Sequence, residues 1–315
     1  MHYHYGNGKE YIPFQKLRRM AALLVACDPL IVQLHPQHRR VNEYCMSNRL
    51  YSRIAHGRPA AVASREINAE YIEAEPEFPT NRPKTKPVAR PSRMRTPNFL
   101  VPFQRGTLTG YDLTDEFFYL AFTESGYDYD NIVENPRPLE IPYAVREILR
   151  CTNAPTVAEL MRHTPLDAQR PAYSFKAYSH GEYKHTIMQD GQNVLEYQYK
   201  RTVEFRQMAS TMDPNCVVAH GKIVVRLCEI AASMELEELY QVALDCAVGE
   251  TNGDWFDVFD LLAEFGLESE AKVLQYPVAE FRGEIIPEEV VNDQAQAEGA
   301  EERTGQWLSW LGWLS

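Results

Sequence analysis

The chain has 315 residues, of which 44% are hydrophobic and 24% are charged, and this length and composition allow one large or two ordinary globular domains. The formal net charge of −12 argues against a general nucleic-acid binder, because such a protein needs a basic surface over the phosphates. No apolar run approaches the roughly 20 residues of a membrane span. The six cysteines include no CxxC pair, which predicts buried thiols in a reducing compartment, cytoplasmic or nuclear.

The first segment, residues 1–6, alternates histidine with tyrosine, which predicts a β-strand ended by the glycines that follow. A helix is predicted from Pro13, because apolar residues recur there at helical spacing. Asp28 and the proline after it are expected to end that helix. A second, more polar helix is predicted over 41–53.

Residues 57–102 contain recurring prolines, which exclude regular structure over most of the stretch. A run of six basic residues without an acid lies within it, between Arg82 and Arg95. This run could be a nuclear-localisation segment or could bind an anionic partner. The favoured interpretation is a solvated, flexible insertion.

The remainder of the chain alternates between helical and strand patterns. In chain order, the patterns predict helices at 114–125 and 140–150, a capping box at Thr156-Val-Ala-Glu159, a strand at 173–178, a hairpin of 186–189 with 194–207 around Asp190-Gly191, and helices from Asp213-Pro214, at 235–247 and at 255–265. Together they predict an α+β fold, with a mostly antiparallel sheet and helices packed behind it.

The composition changes after the predicted domain, which is expected to span 1–283. Seven acids and no base lie between Glu284 and Glu302, so the tail at 284–315 is predicted to be disordered. The tail ends in an apolar segment from Trp307 to Leu314 that contains three of the four tryptophans. This segment could bind a protein partner, lie on a membrane or be an incidental terminus; an anionic membrane is disfavoured because no basic face accompanies it.

Two short strands each place ionisable side chains on one face. A strand alternates sides at every residue, so His2 and His4 share a face, and Glu204 and Arg206 share another. Alone, each pair has an ordinary explanation, an incidental terminus for the histidines and a cross-strand ion pair for the other two. Side by side they would offer imidazole, carboxylate and guanidinium to one ligand, a set that suits a divalent metal ion bound to a nucleotide.

Three separated blocks occur in the order found in a known family. They are His2-Tyr-His-Tyr-Gly-Asn7, then Leu34-His-Pro-Gln-His-Arg39 with Asn42-Glu-Tyr-Cys45 and Ser47, and finally Arg201-Thr-Val-Glu-Phe-Arg-Gln207 with Thr211-Met-Asp213. With these blocks the chain resembles the fungal amidoligases, which belong with the carboxylate–amine ligases of glutamine-synthetase-like fold. The proline-rich insertion and the acidic tail lie outside the resemblance.

The resemblance implies an ATP-dependent reaction, in which a carboxylate is phosphorylated and an amine then displaces the phosphate. It implies that His2 and Glu204 hold the magnesium ion of the nucleotide. It also implies that His4 and Arg206 face the transferred phosphate as catalytic residues. The substrates implied are a small-molecule or peptide carboxylate and an amine.

The second block adds candidates for nucleotide binding. The resemblance implies that Arg39 and Asn42 bind the nucleotide together with Arg206. His35 and His38 lie beside Arg39 and could contact a substrate carboxylate or phosphate, although a solvated, helix-capping role is favoured on spacing alone.

The chain also departs from the family pattern. Family members carry a Gly-x-Glu-x-Glu-like strand before the first block, whereas Met1 directly precedes His2 here. Met208-Ala-Ser stands where the family has His-Glu-Gly, and asparagines are expected at positions 174 and 177. Two interpretations follow: a ligase that is inactive if truncated, or a non-catalytic remnant acting as an interaction protein. A third is an unrelated iron or zinc enzyme built around His2 and His4.

Overall fold

The computed structural model describes residues 1–36, 39, 45–67, 138–163, 170–179, 184–189, 192–198, 201–253 and 255–281. The strands are β1 (Tyr3–Gly6), β2 (Tyr173–Ser174), β3 (Lys184–Gln189), β4 (Gln192–Gln198) and β5 (Thr202–Phe205). The helices are α1 (Phe14–Ile31), α2 (Asn48–Tyr51), α3 (Ala60–Glu66), α4 (Ile141–Leu149), α5 (Ala154–Met161), α6 (Pro214–Ser233), α7 (Leu236–Thr251), α8 (Val258–Glu264) and α9 (Glu268–Phe281). Short 3-10 turns cover Val32–Leu34 and Lys176–Tyr178.

Helix α1 is the centre of the helical layer. Every residue of it from Met20 to Ile31 is buried, as expected for a helix that is enclosed on all sides. Helices α4, α5, α6 and α7 pack around it. The predicted end at Asp28 is wrong, because the helix continues through Pro29. The hydrogen bond that proline cannot donate falls in the last turn, where burial of Leu30 and Ile31 stabilises the helical path.

Strand β5 is the central strand of a three-stranded sheet, with β1 and β2 antiparallel on its two sides. One face of this sheet is part of the core: Tyr173, Val203 and Phe205 are buried there, and the Tyr173 and Phe205 rings meet edge to face at 5.4 Å. The prediction that Val203 and Phe205 are buried on one face of β5 is therefore confirmed. Its other face carries the polar side chains.

The fold is α+β, but the prediction of a mostly antiparallel sheet overestimated the strands, since helices predominate in the described residues. The segment 194–207 was predicted as one strand. The structure divides it into β4, which pairs with β3, and β5, which belongs to the other sheet. The strand predicted at 173–178 ends at Ser174, and a 3-10 turn follows.

The helix predictions at 140–150 and 235–247 are confirmed within a few residues, and Asp213 caps α6 by accepting a hydrogen bond from the Asn215 backbone N–H at 2.9 Å. The capping box at Thr156 is wrong. The N-cap of α5 is Asn153, whose Oδ1 accepts hydrogen bonds from the Thr156 N–H at 2.9 Å and from its hydroxyl at 2.8 Å. Helix α8 begins at Val258 rather than at 255.

Two helices lie where none was predicted, α3 at the start of the proline-rich stretch and α9 after residue 267. In the predicted helix 41–53, the structure describes only the short α2. The helix predicted at 114–125, most of the 57–102 insertion and the tail at 284–315 lie outside the described residues. All six cysteines are free and buried, as predicted. Within the described ranges, no helix combines the length and apolar character that crossing a bilayer requires.

Candidate functional site

The strand pairing brings the two predicted polar pairs together. His4 lies directly opposite Glu204 in the β1–β5 ladder, so both side chains project from the same face of the sheet. Nδ1 of His2 lies 2.9 Å from Oε1 of Glu204, and Nε2 of His4 lies 3.9 Å from the same oxygen. Arg206 donates from Nη2 to Oε2 of Glu204 at 2.5 Å. We call these four residues the polar face.

Glu204 is the one acid of the polar face and the residue that the other three contact. Its side chain and that of Arg206 are 16% and 17% exposed, whereas those of His2 and His4 are 40% and 38% exposed. The imidazoles therefore form an accessible rim above a partly buried carboxylate–guanidinium pair. A ligand that approaches this face meets the histidines first.

Neighbouring groups act on the pKa of His2 and on the orientation of the His4 ring. Burial lowers the pKa of His2, and nearby Arg206 lowers it further, while Glu204 opposes both effects. The neutral ring favoured by this balance is the form that binds metal ions. In His4, Nδ1 lies 3.1 Å from the hydroxyl of Thr202, at hydrogen-bonding distance, which turns Nε2 toward Glu204.

The donors of the polar face fit a divalent cation in part. Two donors about 2.1 Å from one octahedral ion lie about 3 Å apart. The 2.9 Å between His2 Nδ1 and Glu204 Oε1 is close to that edge, but here it is a direct hydrogen bond, which a bound ion would replace. His4 is farther away. Across the part of the chain that the structure describes, no group of three His, Cys, Asp or Glu residues is arranged to hold a metal ion. Two protein donors would leave the other positions to water and phosphate oxygens, the usual pattern for magnesium bound with a nucleotide.

Arg39, predicted to bind the nucleotide, directs its guanidinium toward the backbone of residues 206–208. It donates to the carbonyl oxygens of Arg206, Gln207 and Met208 at 2.6, 3.3 and 3.4 Å. These residues follow β5 directly, so Arg39 contacts the backbone of the site. Asn42 lies outside the described residues.

A buried carboxylate next to this segment was missed by the sequence analysis. Asp28 of α1 is fully buried and accepts hydrogen bonds from the Ser47 hydroxyl at 2.6 Å, the Arg49 backbone N–H at 2.9 Å and the Gln207 amide at 2.8 Å. We call these four residues the Asp28 cluster. Its only sequence signal was an acid in an otherwise apolar stretch of helix, which was interpreted as a helix end.

The structure also pairs two histidines that sequence spacing did not connect. The rings of His35 and His220 stack with centroids 5.1 Å apart and an angle of 17°. His35 is buried, so the favoured solvated role is wrong for it. Burial lowers the pKa of His220 to about 4. The buried His35 ring therefore stacks on a partly buried His220 ring that is neutral at pH 7.

No protein-family model, curated protein or solved structure matches the chain. The family resemblance therefore rests on the three sequence blocks alone, and any inference about metal or nucleotide binding rests on the four residues of the polar face.

Proposed function

We propose that the protein is an ATP-dependent ligase of the amidoligase type, which joins a carboxylate to an amine through an acyl phosphate. The observation that carries this proposal is the polar face, where two imidazoles and a guanidinium converge on Glu204 within 4 Å. The three ordered blocks that contain these residues support the same chemistry. A glutamine-synthetase-like topology is part of the proposal.

In this proposal His2 and Glu204 hold the magnesium ion. Their facing donor atoms, 2.9 Å apart, suit neighbouring positions on one octahedral ion. When bound, magnesium and ATP supply the charge neutralisation and the phosphoryl group that activate the carboxylate. The partly buried position of Glu204 strengthens its attraction for a cation, because less water screens the charge there.

Arg206 and His4 act on the transferred phosphate. The Arg206 guanidinium is oriented by Glu204, and its planar donors match the oxygens of a phosphate group. The Nε2 atom of His4 faces the same space, with Nδ1 held by the Thr202 hydroxyl. The contribution of these side chains is positioning and electrostatic stabilisation.

A second candidate is a non-catalytic relative that acts as an interaction protein, with the Trp307–Leu314 segment as a contact to a protein partner. The observation in its favour is that the described residues provide no three-residue metal group. The segment itself lies outside the described residues.

Calorimetric titration of the full chain with ATP, in magnesium and in manganese, separates the two candidates. We expect binding that weakens about tenfold or more in Glu204→Gln, because a metal ligand and the partner of Arg206 are lost together. Glu229→Gln is a matched control, since Glu229 is an exposed acid on α6, which packs on the Tyr3 side of β1, opposite His2 and His4. ATP-dependent release of ADP with an amine–carboxylate pair would exclude the non-catalytic candidate. Absence of ATP binding with either metal would overturn the ligase proposal.

A further inference from the structure

The residues that follow β5 belong to neither strand nor helix, yet the position of Arg206 depends on them. The Arg206 backbone N–H donates to the Ala172 carbonyl at 2.9 Å, and the Tyr3 hydroxyl of β1 lies 2.9 Å from the sulfur of Met208. The 206–208 segment is also held by groups from other parts of the chain, among them the Met1 ammonium, which donates to the Met208 carbonyl at 3.2 Å. Arg39 donates to its three successive carbonyl oxygens, and Asp28 accepts from the Gln207 amide.

We infer that Asp28 and Arg39 are positioning residues of the polar face, which hold the 206–208 segment from two sides and so orient the Arg206 guanidinium toward Glu204. Where it concerns phosphate binding, this inference rests on the proposed function. The orientation itself is a property of the folded chain and is tested separately below.

The chemistry of Asp28 supports this role. Burying a carboxylate requires a large desolvation free energy, and an apolar residue at this position of α1 would not require it. The hydrogen bonds described for Asp28 come from uncharged groups, the Ser47 and Tyr173 hydroxyls, a backbone N–H and an amide. Of these donors to Asp28, only Gln207 belongs to the 206–208 segment, where it directly follows Arg206.

The neighbouring arginine does not neutralise Asp28 with its guanidinium. Arg49 reaches the carboxylate through its backbone N–H, while its side chain pairs with Glu250 at 2.8 and 2.9 Å and donates to the Leu139 carbonyl at 2.6 Å. Burial raises the pKa of Asp28, and its hydrogen bonds oppose this effect. The cluster thus keeps an acceptor of fixed direction beneath Gln207.

Arg39 complements Asp28 by acting on the backbone. Its planar guanidinium contacts the carbonyl oxygens of 206, 207 and 208 at once, so that rotation of any one of these peptides would break a contact. The shortest of the three contacts, 2.6 Å, is with the carbonyl of Arg206 itself. A lysine would keep the charge but lose the fork that spans the segment.

The test uses the folded full-length chain and the Nε–H NMR signal of Arg206, assigned by its loss in Arg206→Lys. We expect Arg39→Lys and Asp28→Asn each to shift and broaden this signal. Two matched controls should leave it unchanged. Arg19→Lys changes another guanidinium that donates to a carbonyl, that of Met234 at 3.1 Å, and Asp245→Asn changes another buried carboxylate, which accepts from Gln241 at 3.0 Å.

If Asp28→Asn does not fold, Gln207→Met removes the same hydrogen bond from the other side. An unmoved Arg206 signal in folded Arg39→Lys and in either of these variants would overturn the inference, whether or not the chain binds ATP. A shifted signal in a chain that binds no ATP would support the positioning role while the proposed function fails.

Ligand binding provides the second measurement. If wild-type protein binds ATP, we expect the positioning variants to bind it about tenfold or more weakly. Their affinity for Mn²⁺ alone, followed by the EPR signal of the free ion, should stay unchanged, because His2 and Glu204 are intact. Equal losses in ATP and Mn²⁺ affinity would show a general structural role and contradict the inference.

Discussion

The polar face and the Asp28 cluster each centre on a carboxylate, Glu204 in one and Asp28 in the other. The two carboxylates differ in burial and in the charge of their partners. Glu204 is partly exposed and has charged or ionisable partners, one of them an accessible histidine. Asp28 is fully buried, and the hydrogen bonds described for it come from neutral donors. The exposed carboxylate can exchange its partners for a ligand, whereas the buried one cannot do so without leaving donors unpaired. The difference agrees with the proposed roles of the polar face as a binding surface and of the Asp28 cluster as its support.

The largest expected effect is a loss of stability when the Asp28 cluster is disrupted. In Asp28→Ala the Ser47, Arg49 and Gln207 donors lose their buried acceptor, so we expect the free energy of unfolding to fall by about 4 kcal/mol. Glu204→Ala should lower it by less than about 1 kcal/mol. Chemical denaturation of both variants measures the contrast. Similar losses in the two would show that Glu204 is also part of the structural support.

The next expected effect is on the pH dependence of stability, and it compares the partly buried imidazole of His220 with the exposed one of His2. The folded-state pKa of His220, about 4, is below its unfolded value of 6.5, so its contribution is fully present above pH 6.5 and is lost as the pH falls toward 4. We expect about 2 kcal/mol of stability to be lost from this group between about pH 7 and pH 5. Burial lowers the pKa of His163 to about 3, and it adds a loss of the same sign.

Replacement of His220 by phenylalanine should therefore flatten the dependence of unfolding free energy on pH by that amount, while the ring continues to pack on His35. Denaturation curves at several pH values provide the measurement, with His2→Gln as the exposed control. An unchanged slope in His220→Phe would mean that other groups carry the acid sensitivity.

A smaller loss of stability is expected when the ion pair between Arg49 of the Asp28 cluster and Glu250 is broken. The Arg49 side chain is almost fully buried and holds Glu250 through two hydrogen bonds. Glu250→Gln should lower the unfolding free energy by about 1.5 kcal/mol, because a buried guanidinium loses its charged partner. The exposed Arg226–Glu229 pair, 4.0 Å apart, is the comparison, and Glu229→Gln should have no measurable effect on stability.

The smallest expected change is a shift in the pKa of His2 on the polar face. Glu204 raises the pKa of His2, so Glu204→Gln should lower that pKa further; Arg206 lowers it, so Arg206→Gln should raise it. An NMR titration of the His2 ring measures both shifts. The same direction of change in both variants would contradict the pairing of these residues around His2.

Much of the polar face was predictable from local pattern. Strand alternation placed His2 with His4 and Glu204 with Arg206, and the burial of Val203 and Phe205 on the other side followed from the same period of two. Capping of α6 by Asp213 was equally local, since an acid before a proline marks a helix start. Where the local signal competed with packing it failed, as at Pro29, which burial keeps inside α1.

The alternating strands, the cap at Asp213 and the residue types of the polar face were thus determined by the sequence itself, because each depends on neighbours within a few positions. Only the tertiary structure decided that His4 lies opposite Glu204, that Arg39 contacts the backbone of Arg206, and that Asp28 contacts Gln207. These contacts join residues more than 160 positions apart, and they form because the burial of α1 and the pairing of β1 with β5 bring those residues together.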